Sequence, residues 1–130
     1  MARKDDLGRR GEDYAVAYLE RTGYRVIARN WRCPEGEIDV IVEQSGMVAF
    51  VEVKTRTSTR FGHPFEAITA VKLARMRRLA AAWCARSDTW PHRIRLDVIA
   101  VITGPVIPRQ TGPGADQRVE PIIEHLTGVL

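Results

Sequence analysis

Between Gly36 and Arg56 the chain reads GEIDVIVEQSGMVAFVEVKTR, two apolar runs hinged on Ser45-Gly46. Side chains of an extended chain alternate between two faces, so the register of such a hairpin determines which groups can meet. With Gln44 facing Met47 across the turn, Val42 falls opposite Ala49, Ile41 opposite Phe50, Val40 opposite Val51 and Ile38 opposite Val53. The same register sets Asp39 against Glu52 and Glu37 against Lys54, all four on the face of Ile41 and Phe50. A slip of one residue would set Asp39 against a valine. Opposed carboxylates with Cβ atoms roughly 4.5–5.5 Å apart repel unless something positive lies between them. A divalent cation meets that need. The plainer alternative is a polar sheet face with cross-strand pairs such as Glu37 to Lys54, each contributing about 0.2–1 kcal/mol.

Outward from the hairpin, Asp5 or Asp6 to Thr22 places Leu7, Tyr14, Ala15, Tyr18 and Leu19 at helical spacing, with Gly23 as the stop. Tyr24–Trp31 is rich in β-branched and aromatic residues and predicts the first strand. A second helix is expected from about Pro64 to Arg86, with Phe65, Ile68, Met76, Leu79 and Trp83 as its apolar stripe. Arg93–Ile102 predicts a fourth strand, residues 104–117 a mobile loop rich in Pro and Gly, and the tail RVEPIIEHLTGVL, Arg118 to Leu130, a short last strand weakened by Pro121. This order of elements, in a single domain over residues 1–130, implies an α/β sandwich with a mixed central β-sheet flanked by helices.

The 130 residues are 45% hydrophobic, enough for a core, and contain no run long enough to cross a membrane and no signal-peptide pattern, so a cytoplasmic location is expected. Cys33 and Cys84 have neither CxxC spacing nor a nearby His, which disfavours zinc and predicts reduced thiols. The net charge of +4 favours a polyanionic partner, and 17 of the 20 basic residues are Arg, through either phosphate recognition or codon bias.

Asp39 followed by Glu52-Val53-Lys54 matches the D...(D/E)xK signature of the PD-(D/E)XK nuclease superfamily, whose fold is restriction-endonuclease-like. The blocks GRRGEDYAVAYLERTGYRVIARNW, GEIDVIV, FVEVKTR and RLDVIAV together resemble the YraN family of small bacterial proteins within it. The proline of the superfamily name is replaced by Ile38. The resemblance implies a metal-dependent nuclease acting on DNA, including structured or branched DNA, with Mg²⁺ or Mn²⁺ as cofactor and a homodimer left open. It implies catalytic roles for Asp39, Glu52 and Lys54, with the ion held by Asp39, Glu52 and the Val53 carbonyl. Hard divalent cations take oxygen ligands of this kind. Glu12 is carried over as a further catalytic acid that binds the metal or supports its ligands, and Lys72 as a positively charged residue that assists the site and binds nucleic acid.

Each of these residues also has an ordinary reading. Glu12 suits the first turn of a helix for its dipole alone. Lys72 can extend along its stem to water. Arg56, Arg60, Arg75, Arg77 and Arg78 form an expected phosphate-binding rim, although RMRR on a helix is commonly a solvated face. Asp97 is expected to pair with Arg95 or cap a sheet edge, and His63, His92 and His125 to be isolated surface or packing residues. Trp31 and Trp90 are read as packing groups. Two other classes stay open, a nucleic-acid-binding module that does not cut and a protein-interaction factor.

Overall fold

The computed structural model describes residues 3–60, 62–88, 91, 93–104 and 120–129. Apart from Gly104, the loop expected at 104–117 lies outside the described residues, as do Trp90 and His92.

The elements in chain order are helix α1 (Arg3–Arg21), strands β1 (Arg25–Cys33), β2 (Gly36–Gln44) and β3 (Met47–Arg56), a short 3-10 turn (Pro64–Ala67), helix α2 (Ala70–Arg86) and strands β4 (Arg93–Ile102) and β5 (Ile122–Leu126). The β2–β3 turn closes with φ of 51° at Ser45 and 79° at Gly46. Two consecutive left-handed residues match the right-handed twist of the flanking strands, and this fixes the register from Gln44–Met47 through Val40–Val51 as the apolar pattern requires.

The second helix starts later than its apolar stripe suggests. Ile68 and Thr69 are extended, and the Thr69 hydroxyl accepts from the Lys72 N–H, so Pro64–Ala67 is a separate turn and α2 begins at Ala70. A hydroxyl that satisfies an orphan N–H stabilises a helix start, and here it outweighs hydrophobic continuity across residues 64–69.

The sheet order is β1-β2-β3-β4-β5. Only β3 and β4 are parallel, joined by the crossover through α2, and the other pairs are antiparallel. Helix α1 packs through Ala15 and Leu19 on the face carrying Val40, Val42, Ala49, Val51, Ile99 and Val101. Helix α2 packs through Leu79, Ala80 and Cys84 on the opposite face, against Ile41, Phe50 and Leu96, with the Trp83 ring edge-on to Phe50 at 5.5 Å. A mixed sheet with one helix on each face is the expected α/β, restriction-endonuclease-like sandwich. Tyr14, placed on the apolar face by spacing, is instead 40% exposed, while Tyr18 packs inward beside Leu19. Trp31 packs at the second core beneath the Arg86 guanidinium, as expected of a packing group. Both cysteines are free thiols.

Strand β4 is buried from Leu96 to Ile102, and the one charged residue of that buried stretch, Asp97, has no exposed surface. Its carboxylate accepts two bonds from Arg95, at 2.8 and 2.7 Å, one from His125 Nε2 at 2.7 Å and one from the Gly128 N–H at 3.1 Å. His125 Nδ1 meets the Tyr18 hydroxyl at 3.0 Å, and Arg95 also donates to the Tyr24 hydroxyl. The Arg95 pairing follows from sequence. The isolation assigned to His125 does not hold, because β5 returns antiparallel beside β4 and brings the imidazole over Asp97 from a sequence distance no local pattern encodes. His63 is not isolated either: its Nδ1 accepts from the Phe65 N–H and its Nε2 pairs with Glu124 of β5.

Candidate functional site at the forked hairpin

The β2–β3 ladder ends at Val40–Val51, so the expected pairings of Asp39 with Glu52 and of Ile38 with Val53, the next two along the hairpin, do not form. From there β2 stays with β1, through Trp31–Ile38 and Arg32–Glu37, while β3 stays with β4 as far as Arg56–Ile102. The hairpin therefore forks. A Val53 N–H left without a ladder partner would be costly, and the Asp39 carboxylate takes its place, Oδ2 accepting from Val53 N at 2.8 Å. The same bond pins the acid at the crotch of the fork. Glu37 pairs with Arg32 at 3.1 Å rather than with Lys54, because cross-strand pairing with β1 places Arg32 beside it. Lys54 instead meets Glu52 at 3.2 Å, two residues along one strand and on one face.

Helix α1 closes the other side of the fork. A Cβ at Gly11 would lie 1.8 Å from Thr55 Oγ1, so only glycine allows the helix to approach β3 this closely. Glu12 is thereby held against the sheet. Burial raises its pKa, with Arg29 and the Asn30 amide opposing the rise, and its Oε1 is enclosed without a hydrogen-bond partner. Asp39 is pushed up to about 7, first by burial, then by the Glu52 charge, with the Val53 N–H opposing and Glu12 and Glu37 adding to the rise. Three neighbouring acids thus add to the effect of burial, and Asp39 binds a proton where an ordinary aspartate would not.

Two hollows meet at this point. The one on the α2 side has a volume of about 240 Å³ and is lined by Glu37, Asp39, Glu52 and Lys54 on the strands and by Ile68, Lys72, Arg75, Met76 and Leu79 along the crossover. The wider one on the α1 side, about 510 Å³, is lined by Leu7, Gly8, Glu12, Asp39, Val53, Lys54 and the segment 55–57. Asp39 and Lys54 border both. The sequence-derived quartet of Glu12, Asp39, Glu52 and Lys54 is brought together, and Val53 with it.

The basic rim divides. Lys72 and Arg75 line the first hollow, the Arg75 guanidinium lying over Gly36, where a Cβ would come within 2.9 Å of Nη2. Arg56 lines the second. Arg60, Arg77 and Arg78 are exposed but border neither hollow, because Arg77 and Arg78 fall on the turns of α2 that face away and Arg60 lies beyond the end of β3. Ile68, Met76 and Leu79 were read only as an apolar stripe. Ile68 reaches the hollow from the extended pair Ile68–Thr69, whose sequence signal is the Thr69 cap, and Met76 and Leu79 reach it from the face of α2 turned to the sheet.

Hard oxygen donors are what Mg²⁺ or Mn²⁺ takes, and Mg²⁺ keeps several waters while using one or two carboxylates. Asp39 Oδ1, Glu52 and the Val53 carbonyl are oxygen donors of this kind, and a cation would take the place of the proton that burial and the Glu52 charge favour on Asp39. Among the described residues no three His, Cys, Asp or Glu side chains converge on a single metal position, so a cation here would rest on two carboxylates, a carbonyl and water.

Residues 11–101 match the model of the uncharacterised protein family UPF0102, a span that contains Glu12, Asp39, Glu52 and Lys54. Among similar proteins, the UPF0102 protein of Beutenbergia cavernae is 46% identical over 129 residues, covering 99% of each chain. That of Pseudarthrobacter chlorophenolicus is 48% identical over 99% of this chain and 89% of its own. That of Frankia alni is 46% identical over all of this chain and 98% of its own. The match of the family model across the whole fork, together with near-complete coverage by these relatives, makes the chain a member of the UPF0102 family.

Proposed function

We propose that this protein is a divalent-metal-dependent nuclease that hydrolyses phosphodiester bonds of DNA at the fork between β2 and β3. The observation that carries the reading is the junction of the two hollows, where Asp39, burdened by neighbouring acids, Glu52 and Lys54 face one accessible space. The residues that would hold Mg²⁺ or Mn²⁺ are Asp39, Glu52 and the Val53 carbonyl. Bound there, the ion lowers the pKa of water and polarises a phosphoryl oxygen. The Val53 N–H fixes the orientation of Asp39 before any ion arrives, which reduces the reorganisation needed on binding.

Lys54 compensates Glu52 in the resting state. Bordering both hollows, the Lys54 ammonium would donate to the attacking water or to the charge that develops on the phosphate. Glu12, enclosed and raised in pKa, accepts a proton or a water hydrogen bond on the α1 side. Lys72, Arg75 and Arg56 hold the flanking phosphates.

The test is a panel of labelled linear, flapped and four-way-junction DNA incubated with purified protein, with Mg²⁺, with Mn²⁺ and with chelator. Cleavage of at least one substrate that stops on chelation is expected. Binding without cleavage under every condition would assign the fold to a non-catalytic nucleic-acid module, and no binding at low salt would assign it to protein interaction.

A further inference from the structure

The hollow on the α2 side contains more than the chemistry of the fork requires. Helical spacing places Lys72, Met76 and Leu79 on one face of α2 with Arg75 beside them. The extended Ile68, whose N–H is held by the Phe65 carbonyl, adds a further apolar wall. The result is asymmetric. Leu79 and Met76 form an apolar floor that continues toward Phe50, Lys72 and Arg75 form a basic lip, and the acids stand at the far end.

We propose that this hollow seats one unpaired nucleobase of a single-stranded DNA segment, the base adjoining the phosphate at the fork, between Ile68 and the Met76–Leu79 floor. The inference rests on the nuclease reading above and names the form of DNA that the site takes. Three features commit it to a base. The space of about 240 Å³ suits one ring system, and it opens directly onto Asp39, Glu52 and Lys54, so an occupant must be attached to whatever reacts there. Its lip carries two cations, which match backbone phosphates on either side of an apolar occupant. Its floor has no donor or acceptor, so the seat accepts any base without reading sequence. A base inside a duplex is stacked and paired and enters only after being flipped out, at a cost of a few kcal/mol that an unpaired base does not bear. Flap, gap and junction ends are therefore favoured over intact duplex by the seat itself.

The experiment is equilibrium binding by fluorescence anisotropy, with chelator present so that nothing is cut, using the full chain and a short labelled single strand in which one abasic nucleotide is moved position by position. One position should weaken binding by about tenfold, the consequence of withdrawing roughly 60 Å² of apolar base surface from the floor. The remaining positions should shift affinity by less than about twofold. In Met76→Ala the dip at that position should flatten while the salt dependence stays as in wild type, and the intact duplex should bind more weakly than the strand. A flat abasic profile, or equal affinity for strand and duplex, in a protein that still cleaves DNA overturns the base seat and leaves the nuclease reading standing. Failure to bind any DNA, with no cleavage in the panel above, overturns both.

Discussion

Replacing Asp39 by Asn should raise the stability of the cation-free protein above pH 7 and abolish its stabilisation by Mn²⁺. The carboxyl is raised from 3.8 to about 7, chiefly by burial and by the Glu52 charge. An acid whose folded pKa lies above its unfolded value binds protons more tightly in the folded state, so stability falls as pH rises from roughly 4 to 7 and is level beyond. At 1.36 kcal/mol per unit the loss has an upper bound of about 4 kcal/mol, and relaxation and water entry reduce the expected effect to about 2 kcal/mol. The asparagine oxygen can still accept from the Val53 N–H, so the strand bond survives while the charge disappears. At roughly 3–5 °C per kcal/mol, Asp39→Asn should melt about 6–10 °C above wild type at pH 8 in chelator. Excess Mn²⁺ at a hundredfold its dissociation constant should return about 2.7 kcal/mol to wild type and none to the variant. Thermal denaturation at pH 4, 6 and 8, with and without Mn²⁺, reads both effects, and taking the wild-type-minus-variant difference cancels the acids remote from Asp39. A variant less stable than wild type at pH 8 in chelator, or equal Mn²⁺ shifts for the two proteins, would refute the assignment of crowded charge to the fork.

Lys72→Ala with Arg75→Ala should lower the slope of log affinity against log salt by up to about 1.8 on duplex DNA, or about 1.4 on a single strand, whereas Arg77→Ala with Arg78→Ala should leave it unchanged, as measured by filter binding. Asp97→Asn should cost about 2–4 kcal/mol in urea unfolding, because the carboxylate, itself without exposed surface, balances the half-buried Arg95. Although burial pushes the Asp97 acid up, its bonds from His125 and Arg95 hold it below the usual aspartate range. Its contribution is therefore present above roughly pH 4 and lost as pH falls further, so the Asp97→Asn penalty should shrink in acid. Gly11→Ala should destabilise the protein or move α1 away from Thr55, and the expected readout is a drop in melting temperature accompanied by weaker Mn²⁺ affinity.

The two apolar runs at residues 40–42 and 47–51, hinged on Ser45-Gly46, were sufficient to give the hairpin register, because the turn sets Gln44 against Met47 and the pairs beyond it follow. It could not show where pairing stops. Extrapolating the ladder made Asp39 a cross-strand neighbour of Glu52, while the structure makes it the hydrogen-bond partner of the Val53 N–H. The difference comes from competition: β1 holds the first residues of β2 and β4 holds the last residues of β3, and neither attachment is encoded within the hairpin. The helical spacing of Glu12 relative to Ala15 and Leu19 was legible, whereas the tight contact of Gly11 with Thr55 that brings it to the fork was not. Likewise, counting arginines gave a rim, but the face of α2 that packs on the sheet through Leu79, Ala80 and Cys84 decides that Lys72 and Arg75 border the hollow while Arg77 and Arg78 do not. His125 was unreadable for the same reason, since its partners Asp97 and Tyr18 are 28 and 107 residues away.

The most direct test of the fork as a hydrolytic centre is the single-turnover rate at which the protein cuts its best DNA substrate in Mn²⁺, compared with the rates of Lys54→Ala and Glu52→Gln. Wild type should cut only with the divalent ion. Both variants should cut at least a hundredfold more slowly, about 2.7 kcal/mol of lost transition-state stabilisation, while their DNA affinity stays within a few-fold because Lys72, Arg75 and Arg56 are untouched. Cleavage by either variant at the wild-type rate, or by wild type at full rate in chelator, would contradict a metal-dependent mechanism centred on Asp39, Glu52 and Lys54.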